Sequence, residues 1–129
     1  MTDTSKLLYA KTHEWVSLSG TLATVGITEH AQQEISDVVF VELPKLEKVV
    51  KQGDPAMVLE SVKAAFDIYA PLSGKIVKIN EKLKDHPDLI NKFPLGEGWL
   101  FQMECQQLSE SSVLLSEADY QRQASGSGH

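Results

Sequence analysis

The chain has 129 residues, of which 42% are hydrophobic and 23% charged, and a formal net charge of −6. This size and composition are typical of one globular domain with its own hydrophobic core. The acidic balance, without a Lys/Arg cluster, argues against a nucleic-acid partner. No apolar run approaches the roughly 20 residues that a membrane span needs, and the polar N-terminus lacks the apolar segment of a signal peptide.

The first half of the chain begins with a predicted flexible arm, residues 1–8. Two strands follow, Glu14–Leu18 and Thr21–Ile27, joined by a tight turn. Thr28 is a good N-cap for a short helix that ends near Ile35.

A hairpin is predicted at the centre of the chain. The strand Val38–Leu43 precedes it, and the turn-forming pair Gly53-Asp54 opens it. The two apolar stretches Pro55–Leu59 and Phe66–Ala70 have the length and bounded ends of strands. Lys63 therefore stands at the hairpin tip, where a side chain is available to another protein.

The second half contains two further strands and short helices. Lys75–Asn80 alternates in the manner of a half-buried strand, Pro87 stands where it can start a short helix, and Trp99–Met103 is the last clear strand. Ser116-x-x-Asp119 has the form of a capping box that opens a C-terminal helix, and residues 124–129 are a flexible tail. Short strands with regular turns favour an all-β sandwich or barrel with small helical additions.

The surroundings of Lys63 favour a special role over a solvated surface lysine. By position alone a lysine at a turn is usually just solvated. Here Val62, Ala64 and Ala65 are small or apolar and provide no competing lysine, while Glu60 supplies a recognisable charge nearby. These neighbours indicate an attachment point for a prosthetic group.

The segment Glu60-Ser61-Val62-Lys63-Ala64-Ala65, followed by Asp67 and by Ala70-Pro71-Leu72-Ser73-Gly74, resembles the lipoylation site of the H protein of the glycine cleavage system. Four further stretches resemble this family in the same order: His13–Val16, Ala23–Thr28, Val38–Pro44 and Gly96–Leu100. The resemblance covers roughly residues 9 to 120. It implies a mainly β, flattened barrel-sandwich hybrid of the lipoyl/biotinyl-domain type with short added helices, in which residues 9–123 form a single lipoyl-carrier domain.

The resemblance implies a non-catalytic carrier with lipoate bound covalently to Lys63. The carrier shuttles the aminomethyl group of glycine from glycine decarboxylase (P protein) to an aminomethyltransferase (T protein), and dihydrolipoamide dehydrogenase (L protein) reoxidises it. A lipoate ligase or octanoyltransferase attaches the group. The single cysteine, Cys105, fits a reducing compartment, so we expect the bacterial cytoplasm, or the mitochondrial matrix for a processed eukaryotic form.

A cleft for the aminomethyl arm is also implied by the resemblance. A cationic amine is bound better by carboxylates and hydroxyls than by neutral groups. Glu14 and Asp67 match family positions that line this cleft, with Thr12 beside them as a hydroxyl. The alternative for both acids is a solvated carboxylate on a strand. Trp15 and Trp99 are expected in the core.

Two departures from the family pattern stand out. Phe66 occupies a position where the family commonly has a small residue, three residues from Lys63, and it either packs in the hairpin face or alters docking of the arm or recognition by the ligase. The segment from Gln106 onward follows the family poorly, which puts its contacts in question.

The sequence offers no self-contained active site and no metal site. His13-Glu14 begins an HExxH pattern, but Ser17 stands where the second histidine belongs, and the other histidines lack metal-ligand spacing. No Gly-rich phosphate loop or Gly-x-Ser-x-Gly elbow occurs.

Other functions remain as alternatives to the glycine-cleavage carrier. A relay that passes lipoyl or octanoyl groups to other lipoyl domains needs the same lysine, so the sequence does not separate it from the first reading. A biotin carrier would have Met on both sides of the lysine, and an acyltransferase lipoyl domain would have Asp directly before it; Val62 and Ala64 match neither. The last alternative is an unmodified scaffold module.

Overall fold

The computed structural model describes residues 7–106, 109–110, 114–116 and 118–122. The named elements are, in chain order, β1 (Leu8–Tyr9), β2 (Glu14–Ser19), β3 (Leu22–Ile27), α1 (Glu29–Ile35), β4 (Val38–Glu42), β5 (Val49–Val50), β6 (Pro55–Ser61), β7 (Ala65–Tyr69), β8 (Gly74–Ile79), α2 (Lys82–Asp85), α3 (Leu89–Lys92) and β9 (Phe101–Cys105). Residues 118–122 form a short C-terminal helix.

Two antiparallel sheets, neither of them closed, form the body of the protein. The larger has the strand order β1-β2-β3-β9-β8-β5 and the smaller the order β4-β6-β7. The main hydrophobic core takes Val16 and Val25 from the larger sheet and Leu59 and Ile68 from the smaller, so apolar burial holds the sheets together. The prediction of a mainly β sandwich with short helices, including a C-terminal one, is confirmed.

Local sequence explains how the first hairpin and helix form. The β2–β3 turn contains Gly20 at φ 61°, a left-handed conformation that glycine adopts without steric cost. The Thr28 hydroxyl accepts a hydrogen bond from the backbone N–H of Ala31 at 3.1 Å, which confirms the predicted N-cap of α1. This cap satisfies one of the free backbone N–H groups in the first turn of α1.

Several boundaries differ from the predictions. The last strand is Phe101–Cys105 rather than Trp99–Met103. The N–H of Leu100 donates to the Val25 carbonyl at 2.8 Å, but Leu100 itself lies just before the strand. Residues 81–92 hold two short helices, α2 and α3, where the sequence indicated one short helix beginning at Pro87.

The capping box of the C-terminal helix is half formed. The N–H of Asp119 donates to the Ser116 hydroxyl at 3.3 Å. The Asp119 carboxylate pairs with Arg122, because a charged guanidinium is a stronger partner than a backbone N–H.

The predicted N-terminal arm is too long by two residues. Leu7 is buried and Leu8 begins β1, because Leu7 packs in a second hydrophobic cluster with Tyr9, Trp15 and Tyr120. The remaining arm residues, 1–6, and the predicted tail, 124–129, lie outside the described residues.

Candidate functional site

The β6–β7 hairpin places Lys63 at its tip, and Ser61 shapes that tip. The Ser61 hydroxyl accepts hydrogen bonds from the backbone N–H groups of Lys63 at 3.1 Å and Ala64 at 3.2 Å. The Ser61 N–H donates to the Ala64 carbonyl at 2.9 Å. A serine hydroxyl that satisfies the amides of the next residues stabilises a turn of this kind, so Ser61 gives the tip a defined shape.

The tip is also tied to the end of α1. The N–H of Val62 donates to the Asp37 carbonyl at 3.0 Å, and the Lys63 Nζ donates to the Glu34 carbonyl at 3.3 Å. Lys63 is nevertheless exposed, as are the other residues of the attachment motif except the half-buried Ser61. The amine is therefore accessible to an enzyme, on a backbone held at both sides.

A small recess lies beside the tip, between α1 and β7. Its volume is about 150 Å³. The lining residues come from the turn before β2, from β3, α1 and β7, and are Thr12, His13, Ile27, Ala31, Glu34, Ile35, Phe66, Asp67 and Ile68. Glu34 belongs to this wall and also holds the Lys63 Nζ through its carbonyl, so the lysine side chain ends close to the recess.

Glu14 lies behind this recess and is only 1% exposed. Its carboxylate accepts hydrogen bonds from the Thr12 hydroxyl and from the backbone N–H of Tyr69 at 3.2 Å. Burial raises the pKa of Glu14 to about 7, and the bonds from Thr12 and Tyr69 partly oppose that rise. The ion pairs of the described residues do not include Glu14.

The structure therefore brings the three predicted cleft residues together, in different environments. Thr12 and Asp67 are exposed at the recess and Glu14 is buried beneath Thr12. The solvated-strand alternative fails for Glu14 and describes the exposure of Asp67. The sequence of β2 does not reveal that Glu14 is buried, because its burial depends on packing against β7, whose Tyr69 N–H donates to Glu14.

A second, larger recess shares Thr12 with the first. Its volume is about 370 Å³, and its wall is mostly apolar, with Tyr69, Ala70 and Pro71 on one side. Strand β7 consequently leads from the lysine tip, past the small recess, to the larger one. Four residue steps separate Ala65 from Tyr69, about 14 Å at roughly 3.4 Å per residue.

Phe66, the departure nearest the lysine, lines the small recess. Its ring is half buried and packs against the main core. The structure therefore shows packing in the hairpin face, while an effect of Phe66 on docking of the arm or on recognition by the ligase stays a prediction.

The two tryptophans lie away from the recesses. Trp15 is 2% exposed, and its indole N–H donates to the Pro94 carbonyl at 2.8 Å. Trp99 is half buried against the second cluster. Trp15 therefore belongs to the core, as the sequence indicated, whereas Trp99 packs at the edge of the second cluster.

We also searched the part of the chain that the structure describes for a metal site, a reactive thiol and a membrane-spanning helix. Within it, no group of three or more His, Cys, Asp or Glu side chains is placed to hold a metal ion. Cys105 is buried, and burial raises its pKa to about 11, which leaves the thiol unreactive near neutral pH. No helix among these residues is long and apolar enough to cross a membrane.

Sequence reasoning missed two contributors to the site, His13 and Glu34. His13 entered the sequence analysis only as part of a failed metal motif, yet it lines the recess. Glu34 is a helix residue with no motif of its own. Only the docking of α1 beside the hairpin brings it near Lys63.

Fold and site together define a carrier of the lipoyl-domain class: a mainly β domain that presents an accessible lysine on a hairpin tip. The model of the family "Glycine cleavage H-protein" matches residues 7–126. This match extends beyond Gln106, into the segment that follows the family pattern poorly.

Individual relatives agree with this family match. The glycine cleavage system H protein of Thermotoga maritima is 58% identical over 113 residues, which are 88% of this chain and 91% of the relative. That of Methylacidiphilum infernorum is 52% identical over 117 residues, 91% of each. The crystal structure of a glycine cleavage system H protein from Mycobacterium marinum superposes with a TM-score of 0.84 at 33% identity, over 97% of this chain and 98% of that one. The chain belongs to the glycine cleavage H-protein family, whose members are lipoyl carriers of that system.

Proposed function

We propose that Lys63 is the residue to which lipoate is attached, and that residues 9–123 act as a single carrier domain in glycine cleavage. The observation that carries this proposal is the position of the Lys63 amine, exposed at the tip yet hydrogen-bonded to Glu34 at the rim of the recess. An attaching enzyme reaches such an amine, and an arm that starts there has a recess beside it.

The residues near the tip fit a lipoyl group. The distance along β7 of about 14 Å suits a lysine side chain lengthened by an eight-carbon acyl chain. Apolar Ile27, Ile35 and Ile68 line the small recess and suit the hydrocarbon part of such an arm. Amide formation also removes the charge of Lys63, which lowers the cost of placing the arm against apolar side chains.

When bound, lipoate would supply a disulfide that accepts the aminomethyl group of glycine. The dithiol that remains after transfer of this group would then be reoxidised. The protein presents this group and protects its cargo. Ser61 orients the tip, and the strand pair β6–β7 keeps Lys63 at a constant distance from the recess. Tethering raises the effective concentration of the arm at each docked enzyme.

Glu14, Asp67 and Thr12 are proposed to bind the cationic amine of the cargo. Asp67 and Thr12 line the recess, and the Thr12 hydroxyl donates to the buried carboxylate of Glu14. A cation bound there would favour the ionised form of Glu14 and lower its pKa again. A positive ligand therefore stabilises a buried carboxylate more than it stabilises a solvated one.

The proposed partners are glycine decarboxylase, the aminomethyltransferase and dihydrolipoamide dehydrogenase, together with a lipoate ligase or octanoyltransferase. The relay of lipoyl groups is the less favoured function, because the curated relatives cited above are named for glycine cleavage. The proposal includes no nucleic-acid or membrane partner and no catalytic residue in this chain. The predicted location in a reducing compartment stays a prediction.

The test is lipoylation of the purified protein by a lipoate ligase, followed by intact mass measurement and peptide mapping. We expect one lipoyl increment, located on Lys63, and none on a Lys63→Arg variant. Lys75→Arg, a change at an exposed lysine on β8, is the matched control and should be modified as the wild type is. A lipoyl group on another residue, or none beside a modified control H protein, would refute the assignment.

A further inference from the structure

Three side chains from distant parts of the chain form a closed hydrogen-bonded ring next to the small recess. The hydroxyl of Tyr120 lies 2.7 Å from His13 Nδ1 and 2.7 Å from the Thr28 hydroxyl. The ring closes through the backbone, because the N–H of Thr28 donates to the His13 carbonyl at 3.0 Å. Tyr120 and Thr28 are 2% and 3% exposed, so both hydroxyls are shielded from bulk water, while His13 is half buried.

The ring allows two arrangements of the protons, because either hydroxyl can donate in the bond between Thr28 and Tyr120. If Thr28 donates, the Tyr120 hydroxyl donates to His13 Nδ1, and His13 is a neutral imidazole with its proton on Nε2. If Tyr120 donates to Thr28, the proton of His13 lies on Nδ1. The Thr28 oxygen already accepts from the N–H of Ala31, so the first arrangement gives it one donor rather than two, and we base the proposal on that arrangement.

The backbone and the neighbouring rings hold His13 in one orientation. His13 has φ 75°, an uncommon conformation for a residue other than glycine, and its N–H bonds to the Ala10 carbonyl at 3.0 Å. Tyr120 stacks on Tyr9 with ring centres 4.7 Å apart and meets the His13 ring edge-on at 5.5 Å. The C-terminal helix thus fixes a side chain of the recess wall.

The charged groups around His13 act in both directions. His30 on α1 lies 4.7 Å from it between ring centres, while Glu34 on α1 and Asp67 on β7 line the same recess. Glu14, the first residue of β2, is the next residue in the chain and carries a further carboxyl group. Burial chiefly, and then His30, lower the pKa of His13, and Glu34 opposes them. Burial and His30 outweigh Glu34, so the net effect favours the neutral form of His13.

We propose that His13 is a specificity-determining residue of the recess and that Tyr120 is its positioning residue, holding His13 as the neutral Nε2–H tautomer beside a cationic cargo. This inference rests on the proposed function of the recess. A neutral His13 leaves the carboxylates of Glu14, Glu34 and Asp67 as the charged groups near a bound ammonium group. Protonation of His13 would put a second positive charge in the recess and would reverse the direction of the Tyr120 hydrogen bonds.

The first test uses the unlipoylated protein and ¹⁵N NMR of its histidine rings. His13→Asn assigns the His13 signals, since asparagine tolerates a positive φ. We expect the Nε2–H tautomer and a titration below pH 6.5 in the wild type. In Tyr120→Phe, which keeps the stacked ring but loses the donor to Nδ1, we expect the pKa of His13 to rise and both tautomers to be populated.

Other variants keep this test decisive if Tyr120→Phe folds poorly. Thr28→Val removes the hydroxyl that bonds to Tyr120, and with it the N-cap of α1, and should weaken the tautomer preference. Thr28→Ser keeps both the cap and the hydroxyl and should retain the preference, so it is the control for loss of the cap. The signals of His86, which is outside the ring, should not change in any variant. An Nδ1–H tautomer in the wild type, or a His13 titration that Tyr120→Phe leaves unchanged, would overturn the proposal.

The second test measures the release of cargo from the lipoylated protein as formaldehyde at pH 6 and pH 8. Because Glu14 titrates in wild type and variant alike, the ratio of their rates isolates His13. We expect Tyr120→Phe to speed release several-fold at pH 6 and little at pH 8. An equal acceleration at both pH values would indicate a merely structural role. Absence of lipoate on Lys63 would refute the proposed function while leaving the NMR result valid.

Discussion

Glu14→Gln gives the sharpest test of how the site is built, because this carboxylate is buried with a strongly raised pKa. The pKa rises from 4.5 to about 7, and at about 1.36 kcal/mol for each unit this corresponds to about 3.4 kcal/mol. Between these two values the folded protein binds a proton that the unfolded chain has released. The free energy of unfolding therefore falls as the pH rises through this window, and the lost stability is not regained above pH 7.

Between pH 5 and pH 8 the wild type should lose about 2.5 kcal/mol of stability from this residue, by the same relation. Glutamine resembles the neutral acid and still offers an oxygen to Thr12 or Tyr69. Glu14→Gln should match the wild type approximately at pH 5 and exceed it by about 2.5 kcal/mol at pH 8.

Urea unfolding of unlipoylated protein at several pH values measures this difference, provided that the dependence on urea stays the same. Glu60→Gln is the control, since Glu60 is an exposed carboxylate on β6, and its curve should run parallel to that of the wild type. If the Glu14→Gln curve also runs parallel to the wild type, the carboxylate does not carry the raised pKa, and the argument for a buried cation receptor fails.

Three further predictions concern the tip and the core. Ser61→Ala should slow lipoylation of Lys63 several-fold with little loss of stability, because it removes the hydroxyl that orders the tip; Ser61→Thr should restore the rate, and equal rates for all three proteins would contradict this role. Gly26→Ala should cost about 1–3 kcal/mol in urea unfolding, because a Cβ there would lie 2.5 Å from the Trp15 ring; an unchanged midpoint would refute the clash. Cys105 should resist iodoacetamide at pH 8 until the protein unfolds, since its pKa is raised to about 11; fast labelling of the folded protein would show the thiol to be accessible.

The fold and the lysine were predictable from local sequence for identifiable reasons. Glycine turns, the Thr28 cap and short apolar strands are short-range signals, and the structure realises each of them. The position of Lys63 at the tip follows from the two strands that flank it. Leu7 and Leu8 were misassigned because a short apolar pair next to polar residues gives no periodic signal, and their burial depends on Trp15 and Tyr120.

The resemblance suggested three residues of the cleft, but the shape of the recess and the burial of each residue could not be predicted, because its parts meet only through tertiary packing. Glu14 and Asp67 are 53 residues apart in the sequence, and no local pattern distinguishes the buried acid from the exposed one. The His13–Tyr120 contact spans 107 residues. Residue types suggested the chemistry by resemblance, while burial and hydrogen-bond partners came from the folded chain.

The most direct test of the carrier function is glycine-dependent release of carbon dioxide by glycine decarboxylase, with the lipoylated protein as acceptor. We expect release that saturates with the concentration of lipoylated wild type and that is absent with Lys63→Arg, which keeps the charge but accepts no lipoate. Lipoylated wild type that is inert as an acceptor would contradict the glycine-cleavage function and favour a lipoyl relay. Full activity of Lys63→Arg would contradict the central claim that Lys63 carries the group.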